Sequence, residues 1–382
     1  MYHNIVIFLL IISNIMNLFM DRYGSGGGRF LIYVVNGLAF IVTFIYLVKK
    51  QFTFPRIFSP LKAFFVLFVF YLLIQYVWPN QYFILNNYVR WLLSLLFFFF
   101  FYDIKRSKRS DMLMRLYIIT FIIECSYKIY LGSSFAYVED VDKRMGGDTA
   151  SMGLALVVPL VLYYFRNMRG YALYVINLIF ILFSLRRTSI LAAMVAIPFI
   201  WPSVKKYINK KYLLWGSVIA LFFVIRTWRY VGAKVINRFM EYSSSTSDIA
   251  TYGSGRTEFW RFLYDKYLDN FHWFLGNGLG SVYETYSKYW HSNLSHAHND
   301  LLEILYTFGL VGLALWAIFL YKSYKTVRHS IKYEGQKIFY CALVIYLVVA
   351  LTSGAILRAE MFPMAMALSI LLPKKNSIRS VT

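Results

Sequence analysis

Acidic residues are the scarcest class in this chain. Asp and Glu number 18 against 40 Lys and Arg, and charged residues make up only 15% of the 382 positions. A soluble domain carries about 25%. The shortage runs along the whole length, which excludes a soluble protein with one anchor and points to a protein embedded in a membrane throughout. Cysteine is almost missing too. Cys125 and Cys341 both fall inside apolar runs, so they read as small core residues, and neither a disulfide frame nor a thiolate metal site can be built from them. No basic segment precedes the first apolar run, and no small-residue cleavage site follows Met16. That run is expected to be a retained spanning helix rather than a signal peptide.

Hydrophobic residues are abundant, at 59% with 20% aromatic and a mean hydropathy of +0.54. A helix needs about 20 apolar residues to cross roughly 30 Å of hydrocarbon. The sequence offers about twelve such runs, at 4–20, 30–48, 61–78, 82–102, 112–131, 151–165, 171–185, 188–201, 212–228, 299–321, 338–353 and 361–372. The expected fold is all-α and polytopic. It divides into a first block of nine spans at 1–229, a large outer loop at 230–298, and three closing spans with a tail at 299–382.

The net charge of +22 would suggest a nucleic-acid partner in a soluble protein. Here no basic soluble domain exists to bind one, and the cations sit in short loops, where they fix orientation. With the N-terminus inside, the even connections carry Lys49, Lys50 and Arg56; Lys105, Arg106, Lys108 and Arg109; Arg166 and Arg169; Lys205, Lys206, Lys210 and Lys211; and Lys322, Lys325, Arg328, Lys332 and Lys337. The tail adds Lys374, Lys375 and Arg379. Among the odd connections, 79–81 has no charge and 132–150 is mostly acidic, with Glu139, Asp140, Asp142 and Asp148. This alternation places both ends in the cytoplasm. Trp78, Trp91, Trp201, Trp215 and Trp228 near span ends read as an interfacial aromatic belt, and Phe97 to Phe101 read as lipid-facing or core packing.

Breaks in the charge rule are informative. Arg186 and Arg187 lie in a connection placed outside, Arg226 and Arg229 repeat the anomaly, and Arg358 stands near Glu360 before the last span. Such arginines either snorkel to headgroups or form an anion site opening to the outer face. Planar guanidinium forks suit phosphate oxygens, and a lipid-linked diphosphate is an anion of the right depth.

In the outer loop, 241–255 is rich in Ser, Thr and Gly and reads as a linker. After it, Phe259, Trp260, Leu263, Tyr264, Tyr267, Leu268 and Phe271 recur at helical spacing among charges, as in an amphipathic helix lying on the bundle or the membrane. Gly276, Gly278 and Gly280 form a run that reads as a tight turn or a backbone nest for an anion. Four of the six histidines follow or flank it: His272, His291, His296 and His298. A zinc site is poorly supported, because the i, i+4 helical pair and thiolates are lacking. A histidine acting as general base fits better.

From His298 the sequence runs His298-Asn299, nine residues, Gly309, two residues, Gly312. This resembles the motif of the O-antigen ligase and O-antigen polymerase superfamily. Arg187-Thr-Ser-Ile-Leu191, Gly255-Arg256 with Trp260, and the glycine run through Gly278 resemble further elements of that pattern, and the span layout is similar. The resemblance implies a GT-C-like membrane glycosyltransferase of the bacterial inner membrane, working on its periplasmic face without metal or other cofactor. The donor would be an oligosaccharide on undecaprenyl diphosphate. The acceptor would be a second lipid-linked glycan in a polymerase of O-antigen or exopolysaccharide, or lipid A-core in a ligase of lipopolysaccharide biosynthesis. A chain-length regulator or other assembly protein would be a partner. On this reading His298 is the base, and Arg187 and Arg256 hold the diphosphate. Arg186, Arg226, Arg229, Asn299 and His296 are candidate substrate contacts, while Gly309 and Gly312 let helices approach. A flippase of lipid-linked glycans is the reading from another class. It expects internal repeats and midplane charges, whereas the unusual charges here gather at the outer face.

Overall fold

In hydrocarbon every backbone polar group must be satisfied within the segment or against protein, which leaves the helix as the local solution for long apolar runs. The computed structural model describes residues 1–23, 26–51, 53–77, 85–135, 147–165, 168–184, 186–204, 256–269, 272–290, 296–330, 333–354, 356–357 and 361–373. Among these residues regular structure is entirely helical, with no strand. The elements are α1 (Tyr2–Tyr23), α2 (Gly26–Lys49), a 3₁₀ turn (Arg56–Phe58), α3 (Ser59–Val77), α4 (Leu85–Tyr102), α5 (Lys108–Phe135), α6 (Gly147–Tyr164) and α7 (Met168–Phe183). They continue with α8 (Arg187–Val204), α9 (Arg256–Asp269), α10 (Ser281–Trp290), α11 (Asp300–Ser330), α12 (Tyr333–Thr352) and α13 (Phe362–Ile370). Among the described residues, five stretches are long and apolar enough to cross a membrane: Tyr2–Phe19, Phe30–Lys49, Arg56–Val77, Asp300–His329 and Gly335–Thr352. Four shorter apolar helices accompany them, Asn87–Tyr102, Ala150–Tyr164, Arg169–Leu182 and Thr188–Trp201. The expected ninth span at 212–228 lies outside the described residues.

α6 is the centre. It touches α5, α7, α8, α12 and α13. Met152, Leu154 to Val158, Leu160 and Val161 are all buried, and a helix apolar all round belongs inside a bundle. Pro159 sits within it; the missing N–H and ring clash usually kink a helix at such a point. Outside this core, exposed Ile, Leu, Val and Phe side chains on α1, α2, α3 and α5 form the surface a lipid phase would cover.

The aromatic residues divide between core and rim. Phe97 to Phe101 on α4 are all buried. Phe97 meets Phe362 of α13 edge-on, and Phe98 meets Trp316 and Phe319 of α11. The run is core packing, with no lipid-facing part. Trp91 departs from the belt expected of it. It is fully buried among Phe64, Phe68 and Phe308, because α4 turns that side toward α3 and the start of α11. Trp201 is half exposed, as a belt residue would be. Trp78, Trp215 and Trp228 lie outside the described residues.

The basic residues that follow α2 and α4 gather at one end of the bundle. At that end Lys50 pairs with Asp103 at 2.5 Å and Arg106 with Asp111 at 2.9 Å. Arg106 also lies over the Tyr163 ring at 5.0 Å, and Arg115 donates to the Tyr164 carbonyl at the end of α6 at 3.1 Å. Lys322, Lys325 and Arg328 close α11 at the same end, and α12 begins there. The beginnings of α8 and α11 and the finish of α12 therefore share the opposite end.

Candidate active site at the end of helix 12

Three segments converge where α12 stops. The first is the chain entering α11. Asn299 acts as its N-cap: Oδ1 accepts from the Leu302 amide at 3.0 Å, satisfying one of the orphan donors of the first turn. The Asn299 side-chain amide donates to the Leu351 carbonyl on α12 at 3.1 Å. Asp300, the first helical residue, accepts from the Ile356 amide through Oδ1 at 3.1 Å. Gly354 makes this approach feasible. It sits at φ +65°, and a Cβ there would lie 3.1 Å from the Asn299 nitrogen and 3.2 Å from the His298 carbonyl carbon.

The second segment is the start of α8. The Arg186 carbonyl accepts from Ile190 at 3.0 Å, and its guanidinium donates to Ser353 Oγ at 3.3 Å. Ser189, one turn further, shares a 3.0 Å hydroxyl contact with Ser151 of α6. Arg186 and the His298-Asn299 loop are thus both tied to residues 351–354. Arg187 is the first residue of α8; its side chain lies outside the described residues, as does that of Arg256, which opens α9. Arg226, Arg229, Arg358 and Glu360 lie wholly outside them.

The third segment belongs to the outer loop. The helix expected over 256–272 is observed as α9, Arg256–Asp269. Its inward stripe is narrower than the sequence pattern suggests. Leu263 and Tyr267 are buried with Val282 and Tyr286 of α10 and with Ala297 and Tyr306, forming a second small core. Tyr264 and Leu268 point outward at 49% and 60% exposure. Trp260 reaches from α9 to the candidate base's neighbour, donating from Nε1 to the Ala297 carbonyl at 2.8 Å.

His298 lies between these anchors at φ +54°. A non-glycine residue in the left-handed region costs about 1–3 kcal/mol and persists only where its surroundings hold it. The His296 ring is 4.1 Å from the His298 ring, centroid to centroid, tilted by 48°. Both histidines, Asn299, Asp300, Glu303, Gly354, Ile356 and Leu357 line a small cleft. Glu303 was not singled out as a site residue, yet it is 2% exposed and its Oε2 accepts from the Ala297 amide at 2.7 Å. The sequence signal is an acid in the first turn after an Asn cap, which resembles a capping box, but Glu303 is the fourth helical residue and reaches back to an amide two residues before the cap. Burial, followed by the nearby Glu303 carboxylate, pushes the Tyr286 phenol above its ordinary value, so this hydroxyl stays neutral. Among the described residues no group of three or more His, Cys, Asp and Glu is arranged to hold a metal ion.

Of the motif glycines, Gly309 does something other than what the sequence suggests. Gly309, at φ +66° and ψ −167°, breaks α11, and the partner at the break is loop rather than helix. Residues 272–278 lie against it. Leu310 and Val311 donate to the Trp273 and Phe274 carbonyls at 3.0 and 3.1 Å, while the Asn277 and Gly278 amides donate to Tyr306 and Thr307 at 2.9 and 3.0 Å. A Cβ on Gly309 would fall 2.2 Å from the Phe274 oxygen, and one on Gly276 would fall 2.4 Å from the Gly309 nitrogen. Gly312 does meet a helix, since its Cβ would lie 3.5 Å from Phe64 of α3. The run Gly276, Gly278, Gly280 has positive φ throughout and is a turn. An anion nest needs free amides, but Gly276, Asn277, Gly278 and Gly280 donate to His272, Tyr306, Thr307 and the Tyr88 hydroxyl.

These features define an all-helical membrane protein whose polar, histidine-bearing cleft opens beside the end of a helix bundle. Residues 172–317 match the family model described as O-antigen ligase, which supports the O-antigen ligase and polymerase superfamily for this chain. The matched stretch is less than half the chain, and it contains Arg186, Arg187, Arg256, His298, Gly309 and Gly312. No curated protein matches the chain.

Proposed function

We propose that the chain is a twelve-span, GT-C-like glycosyltransferase of the bacterial inner membrane that joins undecaprenyl-diphosphate-linked glycan units on the periplasmic face, as a polymerase of O-antigen or exopolysaccharide. One observation carries the reading. Arg186 and the His298-Asn299 loop, about 110 positions apart in the chain, are both fastened to residues 351–354, so a cation and an imidazole share one small region. This end lies opposite the basic end of the bundle, which the positive-inside rule assigns to the cytoplasm.

The chemistry follows from those groups. The acceptor hydroxyl attacks the anomeric carbon of the donor as its proton passes to the His298 imidazole. The bond from that carbon to the diphosphate oxygen breaks, and the departing lipid diphosphate carries the electron pair. Arg187 and Arg256, with Arg186 as a third guanidinium, hold the diphosphate and stabilise its growing charge. Asn299 orients the loop, and no metal or cofactor enters. The matching family, described as O-antigen ligase, favours one second reading, a ligase that delivers the glycan to lipid A-core.

A deletion strain separates the two. A single repeat unit on lipid A-core is expected for the polymerase. Free lipid A-core with long lipid-linked chains accumulating would establish the ligase instead. In either background His298→Ala is expected to insert at normal levels and to lose transfer by about 10²- to 10⁴-fold. Full activity in that variant removes the proposed base.

A further inference from the structure

We propose that Glu303 is a positioning residue for transfer: by holding the Ala297 amide from below, it keeps His298 in its left-handed backbone conformation. The inference rests on the reading of His298 as the base. Three observations support it. Glu303 is buried in the first turn of α11, with Oε2 on the Ala297 amide at 2.7 Å. Among the described residues its other oxygen, Oε1, has no hydrogen-bond partner, and Glu303 lines the same small cleft as His298. The Ala297 carbonyl is held from the other side by Trp260 Nε1.

Ala297, the residue before His298, is therefore gripped at both its N–H and its C=O, on the two peptides that flank it and from two different elements. The peptide after His298 is fixed by Asn299, capped onto α11 and tied to α12. An L-residue at φ +54° relaxes toward negative φ once such restraints go, and the imidazole swings with it. The burial of an acid at this point is otherwise unfavourable, because a buried polar atom without a partner is costly. Its retention in the first turn fits a role in setting the loop. A carboxamide has the same acceptor geometry toward Ala297 and no formal charge, so it distinguishes hydrogen bonding from electrostatics.

The test uses the full chain in lipid nanodiscs, with undecaprenyl-diphosphate-linked glycan extracted from the deletion strain as donor. Glu303→Ala is expected to lower kcat by about 10- to 100-fold, as a misplaced catalytic group does, with KM for the donor little changed. Glu303→Gln should restore most of the loss. Labelling of His298 by diethyl pyrocarbonate, read by mass spectrometry, should speed up severalfold in Glu303→Ala and stay at the parent rate in Glu303→Gln. His272, exposed in its turn, is the internal control. Unchanged labelling and turnover in Glu303→Ala overturn the clamp. Faster labelling with unchanged turnover keeps the clamp and overturns His298 as the base. If Glu303→Ala fails to insert, Trp260→Phe releases the other side of the same residue, Ala297, and should shift labelling in the same direction; no shift there also overturns the clamp.

Discussion

The two ends of the bundle differ in their most buried carboxylates, although the outer loop also carries exposed ion pairs such as Lys288 with Glu284. At the basic end, Asp103 and Asp111 are part-exposed and pair with Lys50 and Arg106. At the other end Asp300 and Glu303 are almost fully buried, and they accept from the backbone amides of Ile356 and Ala297. Exposed ion pairs contribute about 0–1 kcal/mol and tolerate movement. Buried acceptors on specific amides fix a loop, because losing either partner strands a polar group. The basic end is therefore an orienting surface, whereas the opposite end is a shaped one.

That contrast can be broken in order of expected effect. Arg186→Ala and Arg187→Ala should each reduce transfer by about 10²- to 10³-fold with normal insertion, the range seen when a charge-stabilising donor is removed. Lysine should restore little at either position, since it lacks the planar fork. Measuring both ranks the two arginines, and full activity in both would remove the anion site from this end. Gly309→Ala comes next. The added methyl meets the Phe274 carbonyl at 2.2 Å on a backbone with positive φ, so a loss of at least about 2 kcal/mol is expected. Thermal unfolding and protease sensitivity of the outer loop should report it, and an unchanged midpoint would show that the loop does not dock there. Asp103→Asn is the smallest. It should cost under about 1 kcal/mol and leave transfer untouched; a large loss of transfer would erase the distinction between the ends.

Much of this was readable from the residues. Long apolar runs with few charges announce helices, and the alternation of basic connections orders them. The spacing from His298-Asn299 to Gly309 and Gly312 marked the segment where the cleft forms. The rest depended on partners remote in sequence. Nothing local to Trp91 says that Phe308 lies against it. Gly309 reads as a point of close helix approach and Gly276 as part of a tight turn or anion nest, but only the fold shows that each is the other's neighbour. Glu303 carried a local hint, a first-turn acid after an Asn cap. Its target amide lies two residues upstream of the cap, beyond the reach of a capping box, so the pattern points to helix capping rather than to the histidine.

The break at Gly309 has a mechanical consequence. Beyond it, α11 still runs about 30 Å at 1.5 Å per residue, enough to cross the hydrocarbon alone. The four backbone bonds joining 273–278 to 306–311 close polar groups that the interruption opens near the membrane surface. Detaching the outer segment would bare them, at several kcal/mol for each group left facing lipid. This stretch thus behaves as a rivet: a rearrangement of the outer segment must either keep these bonds closed or expose the groups they satisfy.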